Sequence, residues 1–90
     1  MTDQEFIERL GASGRGDEII ALIDKLGFTR EFILTNVLAG AAPISVTQIA
    51  MLWQGMPNKH DRKRTRQLLD ALTEAGLLVF DEPAEVWRAI

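Results

Sequence analysis

The sequence predicts an α+β fold in which helices make up most of the chain and a β-hairpin closes it. Apolar residues recur at helical spacing between capping residues and glycines as far as about residue 75. Two short segments, 77–80 and 85–90, then flank a turn that contains Pro83, as in a hairpin. A length of 90 residues is that of one domain, so we assign residues 1–90 to a single unit.

Residues 1–27 are predicted to form two helices that extend the main domain at its N-terminus. Thr2 and Glu5 have the spacing of a capping box, which predicts a first helix over residues 3–10. The glycine-rich segment GASGRG ends that helix, and Asp17 is predicted to cap a second helix that runs to Leu26. The expected apolar stripe of the second helix is Ile19, Ile20, Ile23 and Leu26.

Residues 29–90 are predicted to form the main domain, beginning with two further helices. Thr29 is a suitable cap for the third helix, and Ser45 with Gln48 makes a capping box that opens a fourth helix ending near Gln54. The third helix is expected to turn Phe32, Ile33, Val37 and Leu38 to the core. In the fourth helix we expect most of the following to be buried: Ile49, Met51, Leu52 and Trp53.

The fifth helix is predicted to begin near Asn58 or Asp61 and to end at Gly76. Four of its residues have the spacing of one helix face: Thr65, Leu68, Leu69 and Leu72. Burial of the three leucines contributes about 1.5–3 kcal/mol each, which is a large share of the stability of a small domain.

Charge is unevenly distributed along the chain. Residues 59–66, KHDRKRTR, hold five cations and one anion, a net charge of +4. Since the whole chain has a net charge of −3, the rest must carry −7. A concentrated basic patch favours a polyanionic partner in spite of the acidic total.

The second half of the chain resembles the winged helix-turn-helix superfamily, as found in small bacterial transcription regulators. The resemblance rests on PISVTQIA, where a short extended piece leads into a capped helix, and on RQLLDALTEAGLLVF, where a helix ends in glycine and runs into the wing. It covers roughly residues 29–90, and it implies that the helix near residues 61–75 is offered to a groove of duplex DNA.

With its leucines turned to the core, the fifth helix places Lys63, Gln67 and Asp70 on its opposite face. The resemblance assigns base contacts to the exposed positions of this helix, which here are Lys63, Arg66, Gln67 and Asp70. Lys59, Arg62 and Arg64 lie nearer the helix start and suit phosphates. Thr47 and Gln48, at the capped start of the fourth helix, add phosphate contacts through backbone N–H groups.

Two alternatives to DNA binding remain. A protein-binding winged-helix adaptor or inhibitor would use the basic helix or the acidic wing DEPAE, whose carboxylates repel phosphates. A charge run at the start of a helix is also often a solvated surface only.

Catalysis is not expected, because the chain has no cysteine or tyrosine and only two serines, and its single histidine, His60, lies among cations. We predict no metal and no cofactor: GASGRG lacks the Lys-Ser/Thr ending of a phosphate loop, and a lone histidine is usually an ordinary loop residue.

The expected partners are double-stranded DNA and a second copy of the chain. One domain offers a single recognition helix, whereas tight operator binding needs two half-sites, so a homodimer is expected, with the acidic N-terminal helices as its interface. No apolar run approaches the roughly 18 residues of a membrane span, and the lack of cysteine fits a reducing compartment, so we predict a cytoplasmic protein without membrane contact.

Overall fold

The computed structural model describes residues 1–40 and 42–90. Helices dominate it and a two-stranded antiparallel hairpin closes it, so the α+β class is confirmed. The helices are α1 (Asp3–Ala12), α2 (Gly16–Leu26), α3 (Arg30–Phe32, continuing as a π-helix over Ile33–Val37), α4 (Val46–Gln54) and α5 (Lys59–Glu74). The strands are β1 (Leu78–Asp81) and β2 (Val86–Ala89).

The first two helices differ from the sequence prediction where they meet. α1 continues through Gly11 and Ala12, and α2 begins at Gly16, so Asp17 lies in the first turn and does not cap the helix. A Cβ on Gly16 would lie 3.1 Å from the backbone of Leu10, so glycine permits this close approach of the two helices. The prediction that the second helix runs to Leu26 is confirmed, and Gly27 follows it in a left-handed conformation with φ of +87°.

One apolar core joins all the elements. It includes Phe6 and Leu10 of α1 and the buried leucines of α5, and Trp87 of β2 is fully buried in it. The N-terminal helices therefore share their core with the rest of the chain. Ile20 was expected in the buried stripe of α2 but is 37% exposed, whereas Ile19, Ile23 and Leu26 are buried.

The fourth helix is less buried than the sequence suggested. Ile49 and Ala50 are fully buried, and Trp53 packs against Phe28 at a centroid distance of 5.1 Å. The prediction for the next two apolar residues is wrong, because Met51 is 53% exposed and Leu52 57% exposed. Only one face of α4 packs on the core, although apolar side chains lie on both of its faces.

The hairpin pairs Leu78 with Ala89 and Phe80 with Trp87. Trp87 also pairs with Ile44 in an antiparallel bridge, through two backbone hydrogen bonds of 2.8 Å. The extended piece that precedes α4 is thereby attached to the hairpin. This bridge brings the start of α4, the hairpin and α5 to the same side of the molecule.

Candidate nucleic-acid interface

An open groove of about 680 Å³ lies between the start of α4, the outer face of α5 and the tip of the hairpin. Ser45, Val46 and Thr47 form its edge at α4, and Ala84, Glu85 and Trp87 form its edge at the hairpin. The wall from α5 consists of Lys59, Arg62, Lys63, Arg66, Gln67 and Asp70. We call this groove the basic groove.

The orientation of α5 follows from its buried side. Thr65, Leu68, Leu69 and Leu72 are at most 1% exposed, which fixes the helix face that meets the core. At about 100° per residue, the opposite face carries Lys59, Lys63 and Gln67, each four residues from the next. The prediction that Leu68, Leu69 and Leu72 face the core is confirmed.

The capping of α5 holds its N-terminus in place. Asn58 accepts a hydrogen bond of 2.9 Å from the N–H of Asp61, and the carboxylate of Asp61 accepts one of 3.0 Å from the N–H of Asn58. Asp61 also forms an ion pair with Arg64. The hydrogen bond from Asn58, followed by the one from Arg64, holds the pKa of the Asp61 carboxyl below its ordinary value.

The cations of α5 differ in whether they line the groove and whether their side chains have partners. Lys59 and Lys63 line the groove and, within residues 1–40 and 42–90, make no ion pair or hydrogen bond through their side chains. Arg62 also lines it and donates to the carbonyl of Pro57 at 3.1 Å. Arg64 is outside the residues that line the groove, and its guanidinium is paired with Asp61.

Arg66 has contacts that its sequence position did not reveal. Its guanidinium lies 5.6 Å from the centroid of the Phe80 ring and 5.4 Å from that of Trp87, and it is 3.7 Å from a carboxylate oxygen of Asp70. A cation over aromatic faces is attracted by their quadrupoles. The side chain therefore braces α5 against the hairpin, while it remains 48% exposed at the edge of the groove.

The start of α4 forms the other edge. The hydroxyl of Ser45 accepts a hydrogen bond of 3.1 Å from the N–H of Gln48, so half of the predicted capping box is present. The N–H groups of Val46 and Thr47 belong to the first helical turn, where a helix supplies no carbonyl to receive them. Thr47 lines the groove, whereas Gln48 is exposed outside it.

Two carboxylates also line the groove, Asp70 and Glu85. Glu85 is at the turn of the hairpin with φ of +51°, a left-handed backbone conformation that residues other than glycine seldom adopt. Against four cations, these two anions leave the lining with a net charge of +2. The sequence places acidic residues in the wing, but it does not show that Glu85 is the one that lines the groove with α5.

Among the described residues, no group of three or more His, Cys, Asp or Glu side chains is arranged to hold a metal ion, and this includes His60. None of the helices described has both the length and the apolar character needed to cross a membrane.

Comparison with protein-family models, with curated proteins and with solved structures finds no match to this chain.

Proposed function

We propose that this chain is a small transcriptional regulator of the winged helix-turn-helix type, which binds double-stranded DNA in the cytoplasm with α5 in the major groove. One observation carries the proposal: α5 presents an exposed row of Lys59, Lys63 and Gln67, without partners among the described residues, along an open groove of net positive charge. The bridge between Ile44 and Trp87 supports the winged-helix assignment, because it joins the extended piece before α4 to the hairpin.

The structure suggests a division of roles along the helix. Lys59 and Arg62, together with the start of α4 at Thr47, suit phosphates, because they lie at the N-terminal end of the groove. Lys63 and Gln67 suit base edges, since lysine donates to guanine and glutamine pairs with adenine. Arg66, engaged with Phe80 and Trp87, acts first as a brace.

The salt dependence of binding tests the proposal. Affinity for a random duplex, measured by fluorescence anisotropy at several salt concentrations, should fall with a log–log slope of about −0.9 per phosphate neutralised. Lys59→Ala should reduce the magnitude of that slope by about 1. Arg64→Ala is the matched control: it removes one positive charge from the same half of α5, but from a side chain paired outside the groove, so the slope should stay nearly unchanged.

A selected operator tests the readout. Gln67→Ala should cost about 1–3 kcal/mol on that operator and relax preference at one base position, while affinity for random duplex stays the same because no charge is lost. If the folded protein binds no duplex even at low salt, the regulator proposal is wrong.

A second candidate function has its own supporting observation. Asp70 and Glu85 place two carboxylates among the cations of the groove, which suits a protein surface of mixed charge better than a uniform row of phosphates. For such a protein-binding adaptor, alanine at Lys63 would weaken the protein complex, and no variant of α5 would change DNA binding.

A further inference from the structure

A second open groove, of about 570 Å³, lies between α2 and the start of α3. Its floor is apolar, because Ile23 and Phe28 line it and are only 4% and 5% exposed. Ile20 also lines it and is 37% exposed, so part of its apolar surface faces solvent. We call this groove the α2 groove. It has no lining residue in common with the basic groove.

Two carboxylates flank the apolar part of the α2 groove. Asp17 and Asp24 both line it and are both exposed. They are seven residues apart in α2, so they lie on one helix face, about 10 Å from each other along the axis. Ile20 and Ala21 fall between them on that face. Within residues 1–40 and 42–90, neither carboxylate forms an ion pair.

The cations near the α2 groove do not neutralise these two carboxylates. Of the described residues that line the groove, only Arg30 is cationic, and its guanidinium is 3.4 Å from a carboxylate oxygen of Asp3, which is outside the lining. Lys25 follows Asp24 in the chain, but it is about 100° away around the helix and does not line the groove. The groove therefore offers two unpaired negative charges beside an apolar floor.

This combination selects the chemistry of the occupant. A second copy that met the groove across a two-fold axis would bring its own Asp17 and Asp24 against the same carboxylates. The basic start of α5 from a second copy supplies cations, but residues 59–66 contain no apolar side chain to cover Ile20. The complementary surface is a helix that carries an apolar side chain between two cations.

We propose that the α2 groove binds a basic amphipathic helix of another protein, which covers Ile20 and places a lysine or arginine near Asp17 and near Asp24. Helices that bind in grooves do so through residues spaced three, four and seven apart, and the two carboxylates have the seven-residue spacing. The side chain of Ala21 is a single methyl group, so a partner helix can approach α2 closely there. Because the two grooves are separate, this contact does not depend on DNA binding.

A synthetic helix tests the proposal. The probe is an alanine-based peptide of about 18 residues, with two lysines seven positions apart and a leucine between them. Fluorescence anisotropy of the labelled peptide should show saturable binding to the unchanged chain at about 0.1 M salt. Replacement of the leucine by glutamine should weaken binding by at least about tenfold, because the apolar contact is lost. Absence of binding, or equal binding of the two peptides, would overturn the proposal.

Asp24→Asn tests the charge contact. It should weaken peptide binding by about twofold to fivefold, as expected for one exposed ion pair. Glu82→Gln is the matched control: it also removes one negative charge, but from the turn of the hairpin, outside the α2 groove, so the affinity should stay unchanged. Equal losses in the two variants would mean that the peptide responds only to net charge, and the proposal would be wrong.

Exchange of charges tests the pairing directly. Asp24→Lys should bind the original peptide more weakly than Asp24→Asn does, because two cations then face each other. Two further peptides each have one of the two lysines replaced by glutamate. One of them should bind Asp24→Lys better than the original peptide does, and it also reports the orientation of the bound helix. Recovery with neither peptide would contradict the proposed contact. Circular dichroism checks that each variant keeps its helices.

Sedimentation velocity of the chain with and without the peptide tests for a second copy in the groove. A dimer that the peptide dissociates would mean that another copy occupies the α2 groove, and it would overturn the choice of partner. A monomer, or a dimer that the peptide leaves intact, agrees with the proposal. All of these measurements are made without DNA. A chain that binds the peptide but no duplex would therefore refute only the proposed function.

Discussion

The guanidinium of Arg66 lies 5.4 Å from the centroid of the Trp87 ring, and this contact joins the middle of α5 to the hairpin. Trp87 itself lies beside Phe80 across the strand pair, with ring centroids 4.6 Å apart. Asp70, one turn along α5, approaches the same guanidinium at 3.7 Å. Arg66 therefore connects α5 to the hairpin, two of the elements that form the basic groove, and it is also one of the four cations that line the groove.

Replacement of Arg66 by methionine should lower the free energy of unfolding by about 0.5–1 kcal/mol, since it removes the cation but keeps much of the aliphatic stem over the rings. Arg66→Ala should cost more, because the stem is lost as well. Urea denaturation followed by circular dichroism measures both. Equal stability of Arg66→Met and the unchanged chain would mean that the attraction between the cation and the rings contributes nothing.

The buried face of α5 should respond very differently from its exposed face. Leu69 is fully buried, so Leu69→Ala should destabilise the chain by about 2–5 kcal/mol. Lys63→Ala, at an exposed position on the opposite side of the helix, should change stability by about 0.5 kcal/mol or less. Thermal melts of the two variants check the pair, and a larger loss for Lys63→Ala would contradict the orientation of the helix.

This orientation was predictable from sequence because three leucines at helical spacing leave one arrangement that buries them all. The exposure of Met51 and Leu52 was not predictable. Every turn of α4 contains apolar residues, so its composition does not show which side of the helix packs on the core. The contact of Arg66 with Phe80 and Trp87 depends on the pairing of the two strands. The hairpin itself was predictable, but the packing of α5 on it joins separate elements of the chain, and local patterns do not contain that contact.

The capping box of α5 should make stability depend on pH through Asp61. Its pKa is lowered in the folded chain, so its contribution is fully present above the unfolded value of about 3.9 and is lost as the pH falls through the lower folded value. Asp61→Asn should therefore be less stable than the unchanged chain at neutral pH, and the difference should shrink below about pH 4.

Denaturant midpoints measured between neutral pH and acid test this, with Asn58→Ala as the control. That change removes the other half of the box and should cost about 0.5–2 kcal/mol. An amide does not titrate, so its own hydrogen bond should be lost equally at every pH. A difference between Asp61→Asn and the unchanged chain that persists undiminished in acid would contradict the role of the carboxylate.

Glu85 should weaken DNA binding, because its carboxylate lines the basic groove beside the cations of α5. Glu85→Gln keeps a side chain of the same length and removes the charge, so affinity for random duplex at low salt should rise by about twofold to fivefold, the effect of roughly 1 kcal/mol or less of repulsion. Anisotropy titrations measure the change. The gain should diminish as salt rises, since the screening length is only about 10 Å at 0.1 M ionic strength.

Glu82→Gln provides the control for position. Glu82 is at the same turn of the hairpin and carries the same charge, but it is outside the residues that line the groove. If Glu85 acts locally, its substitution should strengthen binding clearly more than that of Glu82. Equal gains in affinity would mean that only the net charge of the chain matters. A loss of DNA affinity in Glu85→Gln would show that the Glu85 carboxylate contacts the duplex favourably, for example by accepting a hydrogen bond from the amino group of a base.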